Sequence, residues 1–467
     1  MKGAPERVVN SELERDAQRK WWLLGAMSGV LGLIVLDETI VAVSLPSITS
    51  ELGLSVSAAH WVVNAYLLSF TCAVAIAGRL GDHFGRKRYF SAGAAVFAAA
   101  SLLAALATDG ATLIAARAFQ GIAAAVIFPT SIALITAAFA PEERGLAFGY
   151  QTTFGGIFMA SGPLIGGLLT EMLSWRLIFW IGIPIVIGIA LLLWLIWSPT
   201  YDPERPAATS QTRLERTGPA LLIAGLFGLV TYVMQAPSCG WASPLSLGLV
   251  IPALAVLALF LRQELTHPAP LLDLALLKIP EFGGGVMVFA IFQLEKIAIF
   301  VFAAQYFQTV LGKSPILSGV VVSLAILPTL VTSVLVGKAT DRFGSRLTLT
   351  RGAAVHGIAI VLFAAATYQQ NYLLAFLPLI LWGASMPSIA IPIRRVQMNA
   401  VPKDKHAQAS GMNMTIQMLG GSLGLAACSA ILAETQSYPL LFLLVGLVTL
   451  LVVPIGRRCI AGQQSTA

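Results

Sequence analysis

The sequence predicts an all-α, polytopic membrane protein, and three observations support this fold class. Hydrophobic residues make up 57% of the 467 residues and charged residues only 11%, against roughly 25% charged residues in soluble domains. Apolar runs long enough to cross a bilayer recur along the whole chain. Lys and Arg are concentrated between those runs. A water-soluble fold of this size could not cover so much apolar surface.

The apolar runs give the number and position of the spans. A hydrocarbon core about 30 Å thick requires about 20 apolar residues per helix, and about fourteen runs meet this length. The turn-rich segment 235–244 joins the seventh and eighth runs, and their lack of charge favours two membrane helices over a twelve-span alternative. The predicted spans are residues 21–45, 58–77, 89–108, 112–139, 145–170, 175–197, 218–236, 244–262, 284–308, 315–336, 347–367, 372–392, 408–433 and 438–456.

The distribution of basic residues predicts the orientation. With the N-terminus inside, Arg176 and Lys313 alone among 29 Lys and Arg lie outside the cell, and Arg117 and Lys296 lie within spans. This asymmetry follows the positive-inside rule. An even number of spans then places both termini in the cytoplasm. The protein is expected to lie in the inner cell membrane. The net charge of +7 is therefore explained by topology, and no nucleic-acid partner is expected.

Two longer polar connections divide the spans into six, two and six. The first run, at 21–45, is too long for the core of a cleaved signal peptide. The predicted organisation is a cytoplasmic tail at 1–20, an N-terminal six-helix half at 21–197, a linker at 198–217, two extra helices at 218–262, a linker at 263–283, a C-terminal six-helix half at 284–456 and a cytoplasmic tail at 457–467.

An internal repeat supports the two halves. One short basic loop follows the second span, and a similar loop follows the tenth span. Glycine permits a tight turn between helices, and the Asp can cap a helix or pair with Arg. The loops are either simple basic turns or elements with a shared conformational role, as in transporters built from repeats. Their matching residues are Gly78, Asp82, Gly85 and Arg86 in the first copy and Gly337, Asp341, Gly344 and Arg346 in the second.

These loops resemble motif A of the major facilitator superfamily, and other segments resemble its fourteen-span drug:proton antiporter branch. Ala42, Phe158 and Gly182 depart from the patterns of that branch. The matching segments are Leu36–Pro46 in the first span, Arg117–Gly121 (motif B), Ser161–Gly167 with Gly162, Pro163, Gly166 and Gly167 (antiporter motif C), Trp175–Phe179 and Gln305–Gly312.

The resemblance implies a bundle of fourteen helices with pseudo-twofold halves, working as a monomer. It further implies export of lipophilic cationic or neutral organic compounds, driven by the proton gradient without a cofactor. Export of one dedicated metabolite or antibiotic, and import by symport, are alternatives within transport; motif C argues against the importer. A membrane sensor or an intramembrane enzyme is the alternative outside transport.

Sequence motifs bear on these alternatives. The chain has no GxxxxGK[ST] phosphate loop and no HExxH metal pair, so ATP-driven export and metal-dependent chemistry are not expected. The four cysteines, Cys72, Cys239, Cys428 and Cys459, have no metal-site spacing. The loops are too short for a sensor's output domain. We therefore expect neither an enzyme nor a metalloprotein.

Charged residues inside spans are the strongest candidates for function. A charge at the centre of a membrane helix costs about 2.5–3.5 kcal/mol on insertion scales, so Asp37, Glu38 and Glu295 are expected to act in proton coupling, with the alternative that one of Asp37 and Glu38 only faces the outer water. The resemblance implies a part in proton coupling for Arg117. Asp37 occupies the acidic position of the family. Arg117 could pair with Asp37 or form a static helix-to-helix tie. Glu295 and Lys296 could neutralise each other.

Polar and aromatic residues within spans are candidates for a substrate pocket. Each alone is more often a packing residue, but together they would suit an amphipathic organic compound. They are Trp61, Asn64, Tyr66, Gln120, Gln151, Gln305, Tyr306, Asn413 and Gln417.

Overall fold

A computed structural model describes residues 4–140, 143–197, 217–267, 270, 272–402 and 405–460. In this part of the chain, thirteen helices are long and apolar enough to cross a membrane, and one further helix has 29 residues. The same residues form no β-strand. The all-α prediction is confirmed. The predicted linker at 198–217 lies outside the described residues except for Thr217.

The long helices are numbered here in chain order. They are α1 (Ala4–Leu52), α2 (Val56–Phe84), α3 (Arg86–Ala105), α4 (Gly110–Ala138), α5 (Arg144–Met172), α6 (Leu177–Ile196), α7 (Thr217–Cys239), α8 (Pro244–Thr266), α9 (Pro280–Thr309), α10 (Pro315–Phe343), α11 (Ser345–Tyr368), α12 (Tyr372–Ala400), α13 (His406–Thr435) and α14 (Tyr438–Cys459).

Each predicted span coincides with one of these helices. The two spans with the weakest sequence signal form α7 and α8, and both are long and apolar enough to cross a membrane. Most of the helices are longer than the apolar runs, because polar residues at the ends continue the backbone hydrogen bonding. Several starts are capped: Ser55, Asp109 and Ser314 each accept a backbone N–H bond from the first turn that follows.

Turns between helices define two ends of the bundle. We call the end with the α1–α2 turn the Gly53 end, and the opposite end, with the α2–α3 turn, the Gly85 end. Gly85 has φ +86° and Gly344, between α10 and α11, has φ +80°. Residues with a side chain rarely adopt such values, so glycine is required at the same place in both copies of the repeated loop.

Several helices are interrupted near their middle. The helical hydrogen bonding of α10 is broken at Leu327–Pro328 and that of α12 at Met386–Pro387, because proline cannot donate the helical hydrogen bond. α9 contains a π-helical segment, Ile299–Ala303, which carries an extra residue in one turn. Such segments occur often at functional sites.

The helices pack in two similar groups. In the first group α1 packs against α5, α2 against α4, and α3 against α4 and α6. In the second group α9 packs against α13, α10 against α12, and α11 against α12 and α14. The groups meet where α5 contacts α10 and α2 contacts α13. α7 and α8 pack against each other, and α7 also contacts α2 and α13.

Glycines allow the closest of these approaches. A Cβ atom added at Gly121 in α4 would meet the carbonyl oxygen of Tyr66 in α2, and one added at Gly383 in α12 would meet that of Ala325 in α10. These are equivalent helix pairs in the two groups. Small residues let the backbones of membrane helices touch, so both pairs depend on a missing side chain.

Replacing Gly383 with Ala should destabilise the bundle, because the methyl group would strike backbone rather than a movable side chain. The expected cost is about 1–3 kcal/mol, typical of overpacking, seen as a lower melting temperature of the purified protein in detergent. Gly248→Ala is the matched control, since nothing lies within 4 Å of a Cβ atom there. An equal melting temperature for the two variants would contradict the packing argument.

Candidate functional site

Asp37 of α1 and Arg117 of α4 form an ion pair inside the bundle. Arg117 Nη1 lies 2.6 Å from Asp37 Oδ2, with side chains 1% and 7% exposed. The same Nη1 donates to Gln120 Oε1 at 2.9 Å, and Nε donates to the Val62 carbonyl at 3.1 Å. The guanidinium thus has both a charged partner and neutral acceptors, as a charge buried this deeply requires.

Two of the predicted pocket residues contact this pair. The ring of Tyr66 lies 4.4 Å from the Arg117 guanidinium carbon, in a cation–π arrangement. Gln120 extends the hydrogen-bond network, because its Nε2 donates to Ser101 Oγ at 2.8 Å. Tyr66 and Gln120 are buried, so both hold the arginine in place.

Glu38 points the other way, toward the second group of helices. Its Oε1 accepts a bond of 2.7 Å from Gln293 Nε2, and its Oε2 lies 3.5 Å from Lys296 Nζ. Gln417 of α13 donates to Gln293 at 3.2 Å. In the described part of the chain, Glu38–Lys296 is the ion pair that joins the two groups.

Glu295 pairs with a histidine, not with its neighbour Lys296. Its Oε1 lies 2.9 Å from His356 Nε2, and its Oε2 accepts a bond of 2.7 Å from Trp382 Nε1. His356 Nδ1 lies 2.8 Å from Ser385 Oγ. Neighbouring helix residues point about 100° apart, which explains why Glu295 and Lys296 have separate partners.

The Glu295 network connects three polar side chains. Ser385 Oγ also lies 2.7 Å from the Leu381 carbonyl oxygen and 2.9 Å from that of Trp382. The two ring nitrogens of His356 thus link Ser385 to Glu295, and the tautomer sets which of them donates. His356 was missed in the sequence analysis, although a histidine within the apolar run 347–367 is itself a signal of function.

Motif C lies directly against the acidic turn of α1. A Cβ atom at Gly162 would meet the Thr39 side chain and one at Gly166 would lie 2.7 Å from the Ile40 carbonyl oxygen. A Cβ atom at Gly167 would meet the Pro315 carbonyl of α10. Pro163 presents its own carbonyl to Gly319 of α10. The motif therefore joins α1 of the first group to α10 of the second.

The two copies of motif A are described to different extents. The surroundings of Gly78 and the side chain of Asp82 lie outside what the structure describes. Arg86 Nη1 donates to the Ala133 carbonyl at 3.2 Å. In the second copy Asp341 forms an ion pair with Arg395 of α12. Open space surrounds Gly337, and Gly344 and Arg346 line a cavity of about 870 Å³ at the Gly85 end.

The Trp175–Arg176 segment ties the Gly53 end together. Trp175 Nε1 donates to Glu51 Oε2 at 2.7 Å, and Arg176 pairs with the other oxygen of Glu51. Arg176 also donates to the Ala107 carbonyl at 3.1 Å.

At the Gly85 end, hydrogen bonds from the Lys20 ammonium hold the pKa of the Glu143 carboxyl below its ordinary value.

The remaining predicted pocket residues make separate polar contacts. Asn64 accepts from Ser422 at 2.7 Å, and Tyr306 donates to the Thr367 carbonyl at 3.0 Å. Gln305 lies 3.4 Å from His60 Nε2, and Asn413 accepts from Gln397 at 3.0 Å. Asn64 and Gln305 thereby link α2 to the second group of helices, as Gln417 links α13 to the Glu38 contact.

Trp61 and Gln151 lie elsewhere. Trp61 lines a largely apolar cavity of about 750 Å³ between α2, α4 and α7, beside Phe227. Gln151 is partly buried on α5. Of the predicted set, Gln417 lies closest in the hydrogen-bond network to the charges that join the two groups.

Comparison with known proteins assigns the chain to a family. The Major Facilitator Superfamily profile matches residues 27–425. The puromycin resistance protein of Streptomyces alboniger is 33% identical, over 91% of this chain and 84% of its own. The tetracenomycin C resistance and export protein of Streptomyces glaucescens is 28% identical, over 92% and 79%.

Solved structures agree at the level of the fold. The D-xylose–proton symporter superposes with a TM-score of 0.68 at 16% identity, covering 95% of this chain and 98% of that one. The profile match and the relatives therefore show that the chain is a multi-pass membrane protein and a member of the Major Facilitator Superfamily.

Proposed function

We propose that the protein is a proton-coupled exporter of lipophilic organic compounds that works by alternating access. The observation that carries this proposal is the buried Asp37–Arg117 pair. Protonation of Asp37 would remove its charge and leave Arg117 with the Gln120 and Val62 acceptors. Removing one partner of a buried pair costs about 3–5 kcal/mol, so proton binding could shift the balance between two conformations.

Glu38 and Glu295 are further proposed members of the proton-coupling set. Glu38 contacts the opposite group of helices, so its charge bears on how firmly the groups hold together. Glu295 Oε1 lies 2.9 Å from His356 Nε2, so a proton could pass between the two side chains. The contact of Gly162 and Gly166 with α1 would transmit a change at the acidic turn to α5, and the motif A loops would restrain the Gly85 end.

The relatives support export in particular. Their names describe resistance to puromycin and the export of tetracenomycin C. A dedicated antibiotic exporter is the second candidate, because those names each specify one compound. A broad panel of compounds distinguishes the two: a multidrug exporter moves several unrelated members of the panel, and a dedicated exporter moves one.

We further propose fourteen spans in a 6+2+6 order, with both termini in the cytoplasm and the Gly53 end outside the inner cell membrane. The 29-residue length of α2 and its packing between α4 and α13 support its role as a span. The repeated helix pairing supports halves at 21–197 and 284–456, flanking extra helices at 218–262. We propose a monomer, in which each chain holds a complete network.

Two of the four native cysteines test this topology. Cys239 is exposed at the proposed outer end, and Cys459 lies at the proposed inner end. A membrane-impermeant maleimide should label Cys239 in intact cells. It should label Cys459 only after the cells have been permeabilised. Cys239→Ser should remove the first signal. If α2 did not cross the membrane, every later segment would invert and the labelling pattern would reverse.

Asp37→Asn should abolish transport driven by a pH gradient, because the amide cannot release a proton. The assay uses proteoliposomes with an acidic interior and a panel that includes puromycin and tetracenomycin C. Wild type should accumulate at least one compound, and collapsing the gradient should release it. Asp37→Glu should retain part of the activity, since it keeps a titratable group.

Asp109→Asn is the matched control. Asp109 accepts from the Thr112 N–H at 2.8 Å as the cap of α4, and Asn caps helices as well as Asp. This variant should transport like wild type. Gradient-driven transport by the Asp37→Asn variant, or wild-type transport at the same rate with and without the pH gradient, would contradict the proton-coupled mechanism.

A further inference from the structure

Lys296 differs from the other buried charges in how it is satisfied. Arg117, Glu295 and His356 are fully buried, and each has two or more polar partners at 2.6–3.1 Å. In the described part of the chain, Lys296 has one polar partner, Glu38, at 3.5 Å. A charge-assisted bond is ordinarily about 2.7–2.9 Å, so the lysine is held loosely.

Glu38 does not depend on Lys296 in the same way. Its other oxygen accepts a normal bond of 2.7 Å from Gln293, and Gln293 is held in turn by Gln417. The carboxylate would therefore stay in place if the lysine moved. Of this ion pair, the ammonium has fewer polar contacts and has unused donors.

The ammonium also lies where a substrate could meet it. Its side chain is 11% exposed and faces Glu38 of α1. Met418 of α13, whose Sδ lies 3.9 Å from Gln293 Nε2, contributes apolar surface to the network around Glu38, and Gln417 contributes an amide. An apolar wall with few polar groups is the usual environment of a site for a small organic molecule.

We propose that Lys296 anchors the substrate through an acceptor oxygen, and that it excludes permanent cations. This inference rests on the proposed export function and names its substrate class. An anionic or carbonyl oxygen, such as that of a carboxylate, a phenolate or a ketone, would occupy the unused donors of the ammonium. A fixed positive charge near Glu38 would instead meet the resident lysine, and like charges repel strongly where water is scarce.

This assignment narrows what the sequence resemblance implies. The antiporter branch suggests cationic or neutral compounds, and the acidic residues of α1 alone would suit a cation. The charge on Glu38 is already balanced within the protein, so the site around it is neutral as a whole. Neutral or acidic aromatic compounds fit such a site best.

One ring system in three charge states tests the proposal. The probes are acridone, 10-carboxymethylacridone and 10-methylacridinium, which are neutral, anionic and permanently cationic. Binding to the purified protein in detergent is measured by fluorescence, without a gradient. Wild type should bind the first two at least about tenfold more tightly than the cation, the scale of one charge-assisted contact.

Lys296→Met should reverse this order. Affinity for the acid should fall about tenfold or more and affinity for the cation should rise, because the cation gains Glu38 without a competitor. Lys296→Arg should keep the wild-type order. Lys338→Met, at an exposed lysine of α10, is the matched control and should also keep it.

A double variant guards against misfolding caused by an unpaired glutamate. Glu38→Gln combined with Lys296→Met removes both charges, and it should lose the preference for the acid without gaining affinity for the cation. Wild type that prefers the cation or binds none of the probes, or a Lys296→Met variant with the wild-type order, would overturn the proposal. Because binding is measured without a gradient, failure of proton coupling alone would leave these results standing.

Discussion

A charge inside the hydrocarbon layer must find a partner, and this constraint organises the centre of the bundle. Two adjacent residues on α1 and two on α9 carry charge, and each neighbouring pair divides its partners between two directions. Asp37 remains within the first group of helices through Arg117. Glu295 remains within the second group through His356. Glu38 and Lys296 are left to meet each other between the groups.

The glycine contacts make this arrangement possible. α5 approaches α1 beside the acidic turn and also reaches α10, because Gly162, Gly166 and Gly167 carry no side chains. Backbone then lies against backbone from the first group to the second. A change of charge at Asp37 occurs one turn from these contacts, so electrostatics and helix packing are joined at the same place in the fold.

The fold was largely predictable from the sequence. Apolar runs and the spacing of basic residues gave helices at all the predicted positions, because length and hydrophobicity alone decide whether a segment can cross a bilayer. The repeated loops also indicated equivalent places, and Gly85 and Gly344 share a left-handed backbone. The helix ends were less predictable, since polar residues continue several helices beyond their apolar cores.

The partners within the site were not predictable. The sequence left open whether Arg117 meets Asp37 and whether Glu295 and Lys296 neutralise each other, because spacing along a helix does not reveal its neighbours. His356 and Trp382 lie far from Glu295 in sequence, on α11 and α12. Polar residues such as Tyr66 and Gln120 looked like pocket residues, but they support a buried arginine.

The π-helical segment of α9 has a consequence for the faces of that helix. Its extra residue, just after Glu295 and Lys296, sets the two halves of α9 out of phase by about 100° relative to an unbroken helix. The charged residues before the segment and the buried Tyr306 and Phe307 after it therefore follow separate angular registers. The two halves of α9 therefore present independent faces. A helical wheel drawn for one half and continued through the π-helical segment would assign the residues of the other half to the wrong neighbouring helices.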